Sequence, residues 1–278
     1  MIEPRVILTV DYESWTTLRL SDGKKPSSWR RELDEGFVLD SLQDILSIFD
    51  KNAITFFLSG EAVSWFPEIP IMIEKAGHEV GFHAHGHRKI TQGSQIISDF
   101  EKSDSWLKKC KVTGFRSPIV TLPSDAYTYM ADLGFEYSSS TYAPVGTHIE
   151  QEGIWELPIS TEPIFGKTMQ WQWPRNLSLS LLLQGELPYG SGFMIPILGE
   201  KILKWIEKCI SSGKSPVLVL HNFQLVQPED FFNKIFRGKP GNVLQLLYLI
   251  NCRELVLTIL RNFQVSRMDQ WLAELKNG

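Results

Sequence analysis

Apolar and polar positions along the chain fall into short runs that alternate between two periods. RVILTV, from Arg5 to Val10 and apolar but for Arg5 and Thr9, predicts a buried strand that stops at Asp11. Val38, Leu39, Leu42, Ile45, Leu46 and Phe49 then recur at helical spacing. A second strand, ITFFLSG, is followed by a helix, IPIMIEKAG, and a short strand, HEVGF. Beyond it the pattern predicts a helix around Asp99–Lys108, a strand VTGF, a helix DAYTYMADLG that Ser124 can cap, and a strand IWELPI. An irregular stretch from Thr161 to Phe193 carries Trp171 and Trp173. The chain then reads as a helix GEKILKWIEKCISSG, a buried strand PVLVL ending at His221, a helix NVLQLLYLI, a short strand FQV and a last helix RMDQWLAEL capped by Ser266.

Strand and helix alternate almost throughout, which is the signature of a parallel sheet with crossover helices. For this length the choice is a β/α barrel or a doubly wound sheet. The first strand runs into VDYESW instead of a glycine-rich GxGxxG turn, so a Rossmann dinucleotide site is excluded. Without an internal repeat, low-complexity tract or dividing linker, residues 1–278 are expected to form one domain.

Composition narrows the function classes. Hydrophobic residues make up 43% and charged residues 22% of the 278, an ordinary globular balance that can close a core without metal or disulfide staples. The net charge of −4 gives no basic face for nucleic acid. Cys110, Cys209 and Cys252 are odd in number and lack a CxxC, which suits a reducing compartment. The opening MIEPRVILTVDYE carries no leader pattern, and runs such as LSLSLLL and VLQLLYLI are too short to span a bilayer. A soluble cytoplasmic protein is the expectation.

Candidate chemistry sits where strands end, the side on which β/α barrels gather their active sites. Asp11 and Glu13 lie two apart, so on an extended strand they share a face; a solvated strand-end turn is the alternative. VGFHAHGHRK holds three of the six histidines. On a helical turn His83 and His87 would reach one metal, whereas in an extended stretch His83 and His85 would share a face. Arg116, directly after VTGF, is either a surface guanidinium or an inward one. His221 at the tip of PVLVL calls for a partner, catalytic or structural. His78 and His148 read as structural or solvated, and Trp171 and Trp173 as packing or as sugar-stacking rings.

Taken in order, LTVDYESW, FFLSGEAVSWFPEIPIMIEKAGHEVGFHAHGHRK, VTGFRSPIV, LGFEYSSSTYAP, GIWELPIS, LPYGSGFMIP and PVLVLHNFQ resemble the polysaccharide deacetylases of carbohydrate esterase family 4. The likeness is nearest to the branch associated with exopolysaccharide synthesis, whose first motif places a glutamate two residues after the acid. The resemblance implies an α/β fold, a distorted β/α barrel of about seven parallel strands. It also implies a metal-dependent hydrolase that removes N-acetyl groups from a sugar, in a polysaccharide or in its lipid-linked precursor. Asp11 matches the catalytic base, Arg116 the arginine that holds it, and His221 the general acid. His83 and His87 match the metal-binding histidines, with Glu13 as the third ligand. The cofactor implied is a divalent ion, zinc with cobalt or nickel as alternatives, and the partner is an N-acetylated glycan.

Three positions depart from the family pattern. Tyr12 stands where a second aspartate commonly binds metal, Ser138 stands where an aspartate commonly tunes the acid histidine, and HNFQ replaces the usual residues after that histidine. Unless another carboxylate compensates, for example Glu156 or Glu162, His221 is expected to lose its proton at lower pH than in relatives that carry the aspartate. Two other readings remain open on the sequence alone: a metal-independent hydrolase of cyclic amides or ureas on the same fold, and a glycan-binding protein that has lost catalysis.

Overall fold

The computed structural model describes residues 2–19, 25–163, 173–176, 181, 185–236 and 243–278. Twelve strands are present among them: β1 Val6–Tyr12, β2 Thr55–Leu58, β3 Glu79–Phe82, β4 Gly114–Phe115, β5 Tyr137–Ser138, β6 Tyr142–Pro144, β7 Ile149–Gln151, β8 Ile154–Glu156, β9 Ile159–Pro163, β10 Glu186–Leu187, β11 Val217–His221 and β12 Val265–Ser266. Nine form one sheet in the order β11-β1-β2-β3-β4-β5-β8-β7, with β12 also paired to β1. Every pairing in it is parallel except β7 with β8. β10, β9 and β6 make a second, three-stranded sheet. The large sheet curls into a half-barrel with helices packed outside, as the β/α alternation predicts.

Strand alternation sorts the side chains into two populations. Even-numbered residues of β1 and β11, such as Leu8, Val10, Leu218 and Leu220, face outward into the largest apolar cluster. There they meet helix residues Ile45, Phe49, Ile202, Ile206, Val256 and Ile259. Odd-numbered residues face the barrel interior. Ile7, Phe57, Tyr137 and Val217 pack there with Met268, Trp271 and Leu272 from the last helix, which plugs the N-terminal end of the strands. Further up the same face stand Thr9, Asp11, His83, Arg116 and His221. Gly81 is glycine because a Cβ there would lie 2.5 Å from the Phe57 ring, and Gly114 because one would lie 2.2 Å from Tyr137.

Several local expectations change. Ser124 does not cap its helix, which spans Ala126–Asp132 with Asp125 at the cap position and no side-chain cap bond. The Asp125 carboxylate instead accepts from the Gly93 N–H at 3.1 Å. Ser266 does not cap Met268–Asn277 either. The sheet does so: Met268 N–H donates to Thr55 Oγ1 (2.8 Å) and Asp269 N–H to Glu79 Oε2 (3.1 Å). Glu79 also accepts from Thr55 Oγ1 and the Tyr137 hydroxyl, at 2.5 and 2.6 Å. IWELPI divides into β8 and the start of β9, and NVLQLLYLI is helical only over Val243–Leu247. Ser27–Asp34 forms a helix that the periodicity did not single out.

The glycine-rich LPYGSGF segment is stitched into this frame by backbone. Gly190 N–H donates to Ser160 O (2.9 Å), and Val219 N–H on β11 donates to Gly190 O (2.7 Å). A Cβ at Gly190 would lie 2.2 Å from Val217 O, a backbone atom with no room to yield. Gly190→Ala is therefore expected to cost about 1–3 kcal/mol of stability, read as a lower urea midpoint; an unchanged midpoint would contradict this packing.

Candidate active site

Parallel register does most of the assembly. Asp11 and His221 are Cα partners across β1 and β11, so the proposed base and acid stand side by side. β3 and β4 meet at Phe82 and Phe115, which sets the next residues, His83 and Arg116, next to each other. Arg116 is fully buried and entirely committed. Its Nη1 donates to Asp11 Oδ1 (2.9 Å) and Thr9 Oγ1 (2.7 Å), its Nε to Ser139 O (2.9 Å), and its Nη2 to Ser139 Oγ (2.8 Å). The guanidinium also lies 4.1 Å above the Phe57 ring. The inward alternative for Arg116 is the one realised. Burial drives the Asp11 pKa up, but the charges of Arg116, His83 and His221 and the Arg116 hydrogen bond outweigh it, and the net shift is downward.

Ligand atoms of Glu13, His83 and His87 lie within 4.8 Å of one another. The histidine segment is neither helix nor strand: Ala84 adopts φ 55°, and this left-handed bend turns His83 and His87 toward a common point, ring centroids 5.8 Å apart. His83 Nδ1–H donates to Arg116 O at 3.0 Å, which fixes the proton there and leaves Nε2 bare toward the site. His87 Nε2 lies 3.6 Å from Glu13 Oε2.

This trio fits a cation. Glu13 Oε2 and His83 Nε2 are buried without a hydrogen-bond partner, a costly state that a bound ion relieves. Burial pushes the pKa down to about 4 for His83 and about 3 for His87, so both are neutral ligands at pH 7. Glu13 is driven well above the carboxylate range, by burial first and then by Asp11 and Glu61. A divalent positive charge is what the pocket's acids lack. Tyr12, in the position of the family's second aspartate, points outward instead, its hydroxyl on Val38 O.

His221 Nε2 lies 3.7 Å from Glu13 Oε1, and its ring stacks on Phe223 and meets Tyr248 edge-on at 4.9 Å. Burial is the main cause of its lowered pKa, with Asp11 and Gln224 acting in the opposite direction. Neither of the two carboxylates that could have compensated for Ser138 faces it. Glu156 Oε1 is taken up by the N–H groups of Ser140 and Thr141 and by Thr141 Oγ1, and Glu162 by Trp205 and Lys208. The group beside Nδ1 is Gln224, whose Oε1 is 3.2 Å away and whose Nε2 donates to Gly192 O at 2.7 Å. Asn222 Oδ1 accepts from the Glu13 N–H at 3.2 Å. Sequence reasoning treated HNFQ only as a departure, yet both its amides serve the site. Their signal was proximity in sequence to His221.

The remaining aromatic and histidine candidates lie elsewhere. His85 Nδ1 pairs with Ser103 Oγ at 3.0 Å, on the far side of the bend from the trio. Its pKa is lowered by burial and by Lys102, Arg88 and Arg30, with Glu61 opposing. His78 is buried against Phe49 and Phe56, and His148 stacks on Trp155. Trp173 is half-buried, and Trp171 lies outside the described residues. An open pocket of about 310 Å³ adjoins His87, a lining that sequence spacing could not assemble.

Two outcomes follow. His83→Ala or His87→Ala is expected to weaken zinc binding more than the roughly 10–100-fold typical of supporting residues, while His85→Ala leaves it near wild type by isothermal titration. Loss on His85→Ala alone would overturn the ligand set. Ser138 is fully buried, bonds Ser140 Oγ at 2.8 Å and lies against Glu156. Ser138→Asp should therefore destabilise the fold by about 1–3 kcal/mol at pH 7, because two buried carboxylates would share one site. A denaturation midpoint equal to wild type would count against this placement.

Comparison with known proteins bears on the family region and the fold. Residues 28–138, which include His83, His87 and Arg116, match the polysaccharide deacetylase family. The peptidoglycan-N-acetylmuramic acid deacetylase PdaC of Bacillus subtilis (strain 168) is 29% identical over 108 residues, 38% of this chain. The match spans only 20% of that relative's length. Among solved structures, a Mycobacterium smegmatis protein assigned as a polysaccharide deacetylase superposes with a TM-score of 0.63 at 17% identity, covering 99% of this chain and 91% of the other. PuuE allantoinase gives 0.56 at 13% identity, with 95% and 87% covered. A Pseudomonas aeruginosa PAO1 protein assigned as a polysaccharide deacetylase gives 0.57 at 14%, with 95% and 88% covered. The family match thus covers the stretch that carries two of the trio and the buried arginine, and the fold is shared with solved structures over almost the whole chain.

Proposed function

We propose that this chain is a metal-dependent N-deacetylase that hydrolyses the acetamide of an N-acetylated sugar, in a polysaccharide or in its lipid-linked precursor, and that residues 1–278 act as one catalytic domain. The observation that carries the reading is the meeting of three groups within one strand-end cleft. They are a cation-ready Glu13, His83 and His87, an ionised Asp11 held by Arg116, and His221 paired with Asp11 across β1 and β11. Glu13, two residues after the base, supports the exopolysaccharide-type branch. Three unpaired cysteines support a reducing, cytoplasmic setting.

Amide hydrolysis needs a nucleophile at neutral pH, stabilisation of the developing oxyanion, and a proton for the departing amine. A divalent ion, zinc by this reading, held by Glu13, His83 and His87 would polarise the carbonyl and acidify water. Asp11 takes the proton of the attacking water, and Arg116 keeps it ionised and aimed. His221 delivers a proton to the nitrogen as the C–N bond breaks, so acetate and a free amine leave. Asn222 fixes the Glu13 backbone, and Gln224 fixes the His221 ring, without either entering the proton transfers. The partnerless Glu13 and His83 atoms favour this over a metal-independent hydrolase of cyclic amides, since such an enzyme has no use for them.

Acetate release from N-acetylglucosamine oligomers, with zinc, cobalt or nickel restored, tests the reading. Asp11→Asn should abolish release while the metal stays bound. His221→Ala should slow it by about 10²–10⁴. Full activity in either variant would reject the assigned roles, and no release from any N-acetylated glycan would favour a binding protein.

A further inference from the structure

The aim of Glu13 depends on the backbone that carries it, because its Oε2 has no hydrogen-bond partner of its own among the described residues. Glu13 is the first residue past β1, and Asn222 takes its N–H. The strand period that turns Glu13 inward turns the residues on either side of it, Tyr12 and Ser14, outward. Ser14 keeps the extended backbone, with φ −68° and ψ 137°.

Both outward side chains end on the same turn. The Tyr12 hydroxyl donates to Val38 O at 2.5 Å, and Ser14 Oγ donates to Asp34 Oδ2 at 2.5 Å. Ser14 Oγ also accepts from the Thr16 N–H at 3.2 Å, which leaves its own proton for Asp34. Asp34 Oδ1 closes the ring by accepting from the Val38 N–H at 3.0 Å. The chain returns from Asp34 to Val38 through Glu35 and Gly36, both left-handed at φ 57° and 83°, a bend that costs glycine little and glutamate more. Asp34 is 1% exposed, and the proposed hydrolysis has no use for it as an acid or a base. One of its oxygens holds the turn and the other holds the residue after Glu13.

We propose that Asp34 is a positioning residue for Glu13: through Ser14 on one flank, and through Val38 and Tyr12 on the other, it sets the direction in which the Glu13 carboxylate meets a cation. The inference rests on the reading of Glu13 as a metal ligand. A ligand fixed before the ion arrives binds it without the cost of being ordered at that moment.

The test is zinc affinity by isothermal titration, together with the visible absorption of bound cobalt(II), which reports ligand number and geometry. Both are measured on chains shown to be folded by circular dichroism. Asp34→Ala opens the ring on both sides and should weaken zinc roughly 10–100-fold, the range typical of residues that orient metal ligands, and change the cobalt bands. Asp34→Asn lacks the charge but offers an oxygen to the Val38 N–H and an N–H to Ser14 Oγ, so it should stay within about threefold of wild type. Tyr12→Phe and Ser14→Ala each remove one bond of the ring and should weaken zinc about three- to tenfold, the equivalent of one hydrogen bond. They keep the test decisive if Asp34→Ala does not fold. A purely structural Asp34 would lower the denaturation midpoint of the metal-free chain and leave zinc affinity and cobalt bands at wild type, which would overturn the proposal. So would Asp34→Asn as weak as Asp34→Ala, since the effect would then be charge acting at a distance, or unchanged affinity in both single-bond variants. Glu13→Gln, measured alongside, separates the two kinds of failure. Unchanged affinity there removes Glu13 from the ligand set and the proposal with it; affinity lost there but kept in Asp34→Ala removes the proposal alone.

Discussion

The contact on which the site depends is the fully buried ion pair of Arg116 and Asp11, 2.9 Å apart and closed to solvent. Removing a guanidinium from water costs several kcal/mol, and the cost is met only if its donors find partners. Here they find them on two other strands: Thr9 and Asp11 from β1 and Ser139 just past β5, with Arg116 itself just past β4. The pair therefore does two jobs with one set of bonds. It draws separate parts of the half-barrel together at the rim, and it holds a carboxylate ionised in a place where burial alone would protonate it. Arg116 also offers its carbonyl to His83 Nδ1, so the residue that sets the charge of Asp11 sets the free nitrogen of His83 as well.

Around that pair, the order of groups follows from a period of two and a parallel register. Odd residues of β1, β2, β3 and β11, and even ones of β4, face the barrel interior, and their chemistry changes with height. Apolar side chains lie low, with Ile7, Phe57 and Val217 against the last helix. Hydrogen-bonding and charged groups lie at the strand ends, with Asp11 opposite His221. A half-barrel of this design separates a closed, apolar base that supplies stability from a polar rim where charged groups gather.

Much of this was legible in the sequence, and the limits have physical causes. Largely apolar runs ending at Asp11, Arg116 and His221 located strands and rim together, since a buried parallel strand leaves that mark. The i, i+4 spacing of His83 and His87 pointed to a shared ligand, but for a helical turn; the observed device is a left-handed Ala84, a conformation no pattern of apolar residues encodes. Helix caps were misjudged because serines at 124 and 266 met local criteria while the actual partners, Thr55 and Glu79 for the last helix, come from distant strands. Compensation at His221 was equally unreadable: Glu156 is near in the fold but already taken up by the turn at 140–141, and a neutral Gln224 stands beside the ring. The pocket beside His87 joins residues from five separate segments, a grouping that only three dimensions reveal.

The central claim is that Glu13, His83 and His87 form one cation site next to the Arg116–Asp11 pair. Anomalous diffraction at the zinc edge, from crystals grown with zinc, tests it most directly. The account predicts a single strong peak between the Glu13 carboxylate, the bare Nε2 of His83 and the His87 ring, with Asp11 beside it and still bonded to Arg116. A peak at His85, or an empty cleft with Glu13 turned away from both histidines, would contradict it.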